Sequence, residues 1–295
     1  MYLGGVLHYA LKYNVTLTLD GVTCEAPSSV MWGEPLSLTL TPDAGKQMKQ
    51  WTVVVMMGET DVTANAYDAS NNSISIANVM GDVSITASAV TMTAEYVPIQ
   101  YVKSVYVANA KNTPFSIPYY PNEKTCMEMD VRVSNFSAST VLFGTMTYNT
   151  TPRFFFFIQY GSAGYSQWHY NTSSQNSNTG NYRINSSVWQ KVVVEKNKIT
   201  YTNNGGERTT LTVNSSGTFQ TANTRPLNVG GAVYASNGNC YWGGVEIQRV
   251  LITEAGDTKF DLVAAKRLSD GLVGLYDTLT GTFYAKTAAN WVGPS

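Results

Sequence analysis

Chemistry in this sequence would have to come from carboxylates, because little else is present. Hydrolysis of a glycosidic bond needs two carboxyl groups about 5 Å apart for retention, or further apart for inversion. A Glu-x-Asp-x-x-Glu run along one strand is one such set, and alternation turns its first two acids toward the same face. The nearest match is Glu128-Met-Asp130-Val-Arg-Val133, where the third acid is replaced by Val133. One of the two essential carboxylates is missing, so Glu128 and Asp130 are expected on the solvated face of a strand, with Met127, Met129 and Val131 packed inward. No Gly-x-Ser-x-Gly elbow occurs, and the histidines are His8 and His169 alone. No glycine-rich phosphate loop opens a helix, because no helical period survives a full window. The expectation is a protein that is not an enzyme.

Metal sites are equally poorly provided for. Cys24, Cys126 and Cys240 lie far apart with no CxxC pair, so a zinc site is not expected. They read as three buried free thiols in a reducing cytoplasm. Calcium stays open on Asp257, Asp270 and Asp277, but Asp257 and Asp270 stand beside glycines, where turn formation is the commoner role. No cofactor is expected.

Aromatic side chains remain. Tyr165-Ser-Gln-Trp168-His-Tyr170 runs directly into Asn171–Gly180, a stretch with no apolar residue that reads as a polar rim loop. Tyr241-Trp242-Gly-Gly244 forms a second aromatic spot. Sugar recognition uses flat rings with amide and hydroxyl partners. Tyr165, Trp168, Tyr170, Asn171, Gln175, Asn176 and Trp242 are therefore the candidate ligand-binding residues, although rings of this size also fill cores.

The elements that would position these groups are strands. Across 295 residues, charged residues make up 13%, about half the usual share, with Asn, Thr, Ser and 19 tyrosines in their place. The net charge of −1, with signs interspersed, offers no basic stripe for nucleic acid and no polybasic patch for a membrane surface. No apolar run approaches the length of a membrane span. Val15, Leu17 and Leu19 alternate with Asn14, Thr16 and Thr18. Leu36, Leu38 and Leu40 repeat the pattern, followed by expected strands at Trp51–Met57, Ile74–Ile76 and Val83–Ala87. Beyond Ile99 the strands lengthen: Met127–Val133, Val141–Tyr148, Arg153–Tyr160, Tyr182–Asn185, Trp189–Lys196, Lys198–Thr202, Arg208–Val213, Leu227–Ala232, Cys240–Thr253 and Lys259–Lys266. Asn203-Asn-Gly-Gly206 predicts a tight hairpin.

The order of "YNVTLTLDGV", "GEPLSLTLTPDAG", "WTVVVMMGETDVTANAYD" and "SISIANVMGDVSITASA" resembles small immunoglobulin-like modules of phage structural and gut bacterial surface proteins. "WQKVVVEKNKITYTNNGGERTTLTV" and the closing "FDLVAAKRLSDGLVGLYDTLTGTFYAKTAANWVGP" resemble laminin-G-like/concanavalin-A-like domains of phage virion and gut bacterial surface proteins. The expected fold is all-β: an immunoglobulin-like sandwich at 13–89, a linker at 90–98 and a concanavalin-like jelly roll at 99–295. Residues 1–12, apolar with a Gly-Gly hinge, read as an arm that docks on other virion proteins or a sister subunit. No signal peptide is recognisable at the start. The resemblance implies a non-enzymatic phage virion protein (head fibre, tail fibre or capsid decoration), assembled in the host cytoplasm, released by lysis and binding host-surface or mucosal glycans. The alternatives are a secreted glycan-active enzyme or carbohydrate-binding module, and a purely structural capsid cement. Homo-oligomerisation is left open.

Overall fold

Period-two alternation becomes period-two burial along both long strands that begin the two halves of the chain. In Lys12–Asp20 every second residue, from Tyr13 to Leu19, turns inward. In Thr125–Val133 every odd-numbered residue is buried, with Met127, Met129, Val131 and Val133 fully so, while Cys126, Glu128, Asp130 and Arg132 face outward. A computed structural model describes residues 11–104, 114–133, 140–145, 154–158, 166–170, 176–178, 184–185, 188–203, 205–212, 226–233, 240–241, 244–285 and 291–294. The chain divides into two compact units, Met1–Ala94 and Glu95–Ser295. Both are built from strands, and the fold is all-β.

In the small unit a six-stranded sheet runs Ser29–Met31, Lys12–Asp20, Val83–Thr91, Val54–Met57 and Thr60–Asp61, with Lys46–Met48 also on Val83–Thr91. The first and last long strands pair in parallel, from Val15 opposite Val83 to Asp20 opposite Ser88. Leu36–Thr39, Ser73–Ile76 and Tyr67–Asp68 form a second sheet. Val55, Ile74, Val83 and Ile85 fill the space between, essentially without solvent exposure.

Two helical turns interrupt the expected all-strand pattern. Trp51 belongs to a 3-10 turn, Gln50–Thr52, so the strand expected from Trp51 begins at Val54. Thr63–Ala66 makes a single α turn. The Asp61 carboxylate accepts from the Thr63 amide at 2.9 Å, and the Val55 amide donates to the Thr63 hydroxyl at 2.8 Å. Such side-chain-to-backbone bonds stabilise a turn too short to show any period.

In the large unit, eleven strands form one sheet. Its main path is Arg208–Thr212, Lys198–Thr202, Gln190–Glu195, Thr125–Val133, Val245–Glu254, Asp257–Arg267, Val273–Asp277 and Phe283–Ala285. Tyr96–Pro98, Val102–Ser104 and Trp291–Val292 join it off this path. The facing six-stranded sheet runs Phe115–Ile117, Leu227–Val229, Thr140–Gly144, Phe154–Ile158, Ser166–Tyr170 and Asn176–Asn178. Between them lies a core of rings, including Phe115, Phe143, Phe154, Phe156, Trp168 and Tyr201. The expected hairpin stands: the Asn203 Oδ1 accepts from the Gly205 and Glu207 amides, and Gly206 takes a positive φ of 81°.

Several boundaries differ from expectation. Val90 and Thr91 complete the last strand of the small unit, and Tyr96–Pro98 pairs with Ala265–Arg267, so most of the expected linker is strand. Asn176–Asn178 pairs with Ser166–Trp168 inside the stretch read as loop. Backbone hydrogen bonds make that edge strand, and three polar residues leave no apolar alternation to reveal it. Cys24 and Cys126 are free but only half-buried, against the expectation of buried thiols. The Cys240 side chain and residues 1–10 of the expected arm lie outside the described residues.

Candidate functional site

Trp168 is fully buried, with its ring 5.2 Å from that of Phe154 and 5.9 Å from that of Phe143. Its indole N–H donates to the Asn197 carbonyl at 3.0 Å. Tyr170 is buried beside it, and desolvation, with Glu123 adding, pushes its phenol up to about 12. Alternation does set these two rings on one face of Ser166–Tyr170, but that face points into the sandwich. Their flat surfaces are covered by protein, which corrects their reading as sugar platforms. Asn176 lies in the edge strand, and its side chain is outside the described residues. Tyr165, Asn171, Gln175 and Trp242 also lie outside them.

The calcium candidates are occupied otherwise. Asp277 is fully buried and accepts from the Asp261 amide at 3.1 Å, the Leu279 amide at 3.3 Å and the Thr280 hydroxyl at 2.7 Å. It organises the turn that follows its strand. Asp270 accepts from the Arg267 guanidinium and the Leu272 amide, and these bonds hold its carboxyl below the ordinary range. Asp257 is widely exposed, with Lys259 at 3.8 Å. Among the described residues no three His, Cys, Asp or Glu side chains are grouped as a metal would require.

Among the described residues, the outward face of the eleven-stranded sheet carries a set of ion pairs. Glu128 meets Lys191 at 2.7 Å, and Arg249 grips Asp261 through Nε at 2.7 Å and Nη2 at 3.0 Å. The Glu128 hydrogen bond is the main cause raising the Lys191 ammonium, and the Asp261 bond does the same for Arg249. Register sets Asp130 between Lys191 and Arg249. Alternation places Val133 in the core, so the third outward position after Glu128 and Asp130 is held by Arg132. Position 133, where the Glu-x-Asp-x-x-Glu spacing puts its third acid, is thus a buried valine.

Arg132 is the centre of a second group. Its Nε donates to Glu246 at 2.6 Å and its Nη2 lies 2.5 Å from the same carboxylate. Glu246 also meets Lys103 at 3.2 Å, and its side chain is only 3% exposed. The guanidinium carbon stands 5.0 Å from the Trp189 ring and 5.9 Å from the Tyr101 ring, and the two rings are 5.8 Å apart, tilted by 44°. Both rings are half-exposed. Cation–π contact and a charge-assisted hydrogen bond with its ion pair thus fix a guanidinium beside two partly exposed aromatic rings.

Sequence reading did not single out these residues. The usable signal lay in the alternation of Trp189-Gln-Lys-Val-Val-Val194: Gln190, Val192 and Val194 are buried, which turns Trp189 outward with Lys191. Arg132 and Glu246 meet across 114 positions of sequence, which no local pattern displays.

No protein-family model matches this chain, and no curated protein matches it. Among solved structures it is similar to the mouse laminin alpha1 chain, domains LG4-5, at 15% identity and a TM-score of 0.38, covering 63% of this chain. That match takes in 48% of the laminin structure, so the chain spans about half its length. It is also similar to a Bacteroides ovatus protein named as a candidate carbohydrate-binding protein, at 11% identity and a TM-score of 0.38. Coverage there is 96% of this chain and 95% of that one.

Proposed function

We propose that this chain is a non-enzymatic glycan-binding surface protein of a phage particle, with the large unit as binding head and the small unit as spacer. The observation that carries the binding reading is the Tyr101–Arg132–Trp189 group. A saccharide presents C–H faces to rings and hydroxyls to charged groups, and both kinds of partner stand here within one patch. Because Glu246 and the rings already hold Arg132, binding spends little on ordering the guanidinium.

The virion setting is supported by the sequence resemblance of both units to phage structural modules. The non-enzymatic reading is supported by the outward face, where Glu128 and Asp261 are ion-paired and no third acid follows Asp130.

The test is a glycan array, with adsorption to whole bacterial cells, on the intact chain and on Trp189→Ala and Tyr101→Ala. The ring substitutions should weaken binding by about 1 to 3 kcal/mol each, by analogy with base–aromatic stacking. Binding unchanged in both variants would remove this site. Reducing-sugar release that disappears in Glu128→Gln/Asp130→Asn would overturn the non-enzymatic reading.

A further inference from the structure

The charges on the outward face of the large sheet are not evenly matched. Lys191 and Arg249 stand in one row with Asp130, and Glu128 and Asp261 stand in the row beside it; with Arg208, three cations face three carboxylates across the two rows. Arg208 reaches back over the sheet to the Lys191 carbonyl, at 2.8 Å. The row on the other side of Asp130 holds Arg132, Glu246 and Lys103 on three neighbouring strands, with Trp189 directly before a fourth. There a single carboxylate, nearly closed to solvent, serves two cations whose side chains are 33% and 36% exposed.

Glu246 neutralises one of its partners, and the second positive charge is left on the surface. The Arg132 fork is turned so that Nε and Nη2 meet Glu246, which leaves N–H groups on the far side of the guanidinium plane edge to donate elsewhere. Lys103 spends one of its three donors on Glu246. Burial of the carboxylate prevents it from swinging out to shield either cation.

We infer that the glycan bound at this site carries an anionic substituent, a carboxylate or a sulfate, received between the Lys103 ammonium and the outward N–H groups of Arg132. This rests on the glycan-binding reading above and adds the class and orientation of the ligand. The sugar ring lies over Trp189 and Tyr101, its anionic group toward Lys103. Its neutral hydroxyls point toward the row of Lys191, Asp130 and Arg249. A wholly neutral glycan would leave the surplus charge desolvated and unmatched, which costs affinity.

The experiment measures binding of the full chain to immobilised polygalacturonate, the same polymer after carboxyl reduction, dextran sulfate and dextran, across a series of salt concentrations. Polygalacturonate or dextran sulfate should bind and weaken with salt, while reduced polymer and dextran should not. Binding to one charged polymer but not the other assigns the group as carboxylate or as sulfate. Lys103→Gln should lower this binding about tenfold, the loss of one surface charge contact. Lys103→Glu should abolish it, and the Lys198→Gln control should leave it unchanged. Thermal melting confirms that each variant is folded. Equal binding of charged and neutral polymers, indifferent to Lys103→Gln but lost in Trp189→Ala, would overturn the anionic inference and leave the glycan reading standing. Binding to none of the polymers, and to nothing on a broad array, would overturn both.

Discussion

The small unit is held together by aliphatic side chains, and the large unit adds a group of rings to an aliphatic core. Val, Leu, Ile, Met and Ala make the small core, with Tyr13 and Tyr67 only at its margin. The large core includes four phenylalanines, Trp168, Trp291 and three tyrosines. Their surfaces differ in the same direction. Among the described residues the small unit has one ion pair, Lys46–Asp43, whereas the large unit carries a connected set across its outward sheet. A compact aliphatic sandwich closed by a parallel pair of strands suits a spacer. The large unit's eleven-stranded sheet displays the side chains of three neighbouring strands in one row, Lys103, Glu246 and Arg132.

The comparison can be broken most forcefully at the large core. Trp168→Ala should cost about 3 to 5 kcal/mol, the usual range for a buried tryptophan. Calorimetry should show it in the melting of the large unit, with the small unit's transition unmoved. Ile85→Ala should act in reverse, lowering the small unit's transition by about 2 to 5 kcal/mol, since Ile85 has no exposed surface. Either substitution shifting both transitions equally would show that the cores are not independent.

Alkali should sharpen the difference. Burial pushes the phenols of Tyr119, Tyr170 and Tyr201 up to about 12, against about 10 in an unfolded chain. A folded state that prefers the neutral phenol has its full stability below pH 10 and loses it as pH rises through 12. Among the described residues of the small unit, Tyr67 is raised, by burial and then by Asp68. A circular-dichroism titration should therefore show the large unit unfolding first between about pH 10 and 12. Asp270→Asn should be the mildest change. The Arg267 bond depresses the Asp270 carboxyl, so its contribution is present above about pH 3.9 and is lost as pH falls through the lowered value. The mutant should melt slightly below the parent at pH 7, and the gap should close in acid.

What alternation could reveal, it revealed. Val15, Leu17 and Leu19, the inward Met127, Met129 and Val131, and the Asn203–Gly206 turn stand where the local pattern puts them. The candidate site was less legible. Trp168 and Tyr170 alternate toward one side, but the sequence does not say whether that side faces solvent or a second sheet, and in a two-sheet fold it faced the sheet. Their polar continuation, Asn171–Gly180, made them look surface-bound. Arg132, Glu246 and Lys103 come together only because three strands distant in sequence are neighbours in the sheet. Short elements fixed by single side chains, such as the Thr63–Ala66 turn, have no period to read.

The central claim is that the binding surface lies on the outward face around Trp189 and not in the aromatic core around Trp168. The most direct measurement is Trp189→Ala, followed at once by calorimetry and by glycan binding on the same preparation. The account predicts a melting temperature close to the parent's, with glycan binding weakened by about 1 to 3 kcal/mol, by analogy with base–aromatic stacking. A melting temperature lowered as far as by Trp168→Ala, or full binding by a stably folded Trp189→Ala, would contradict it.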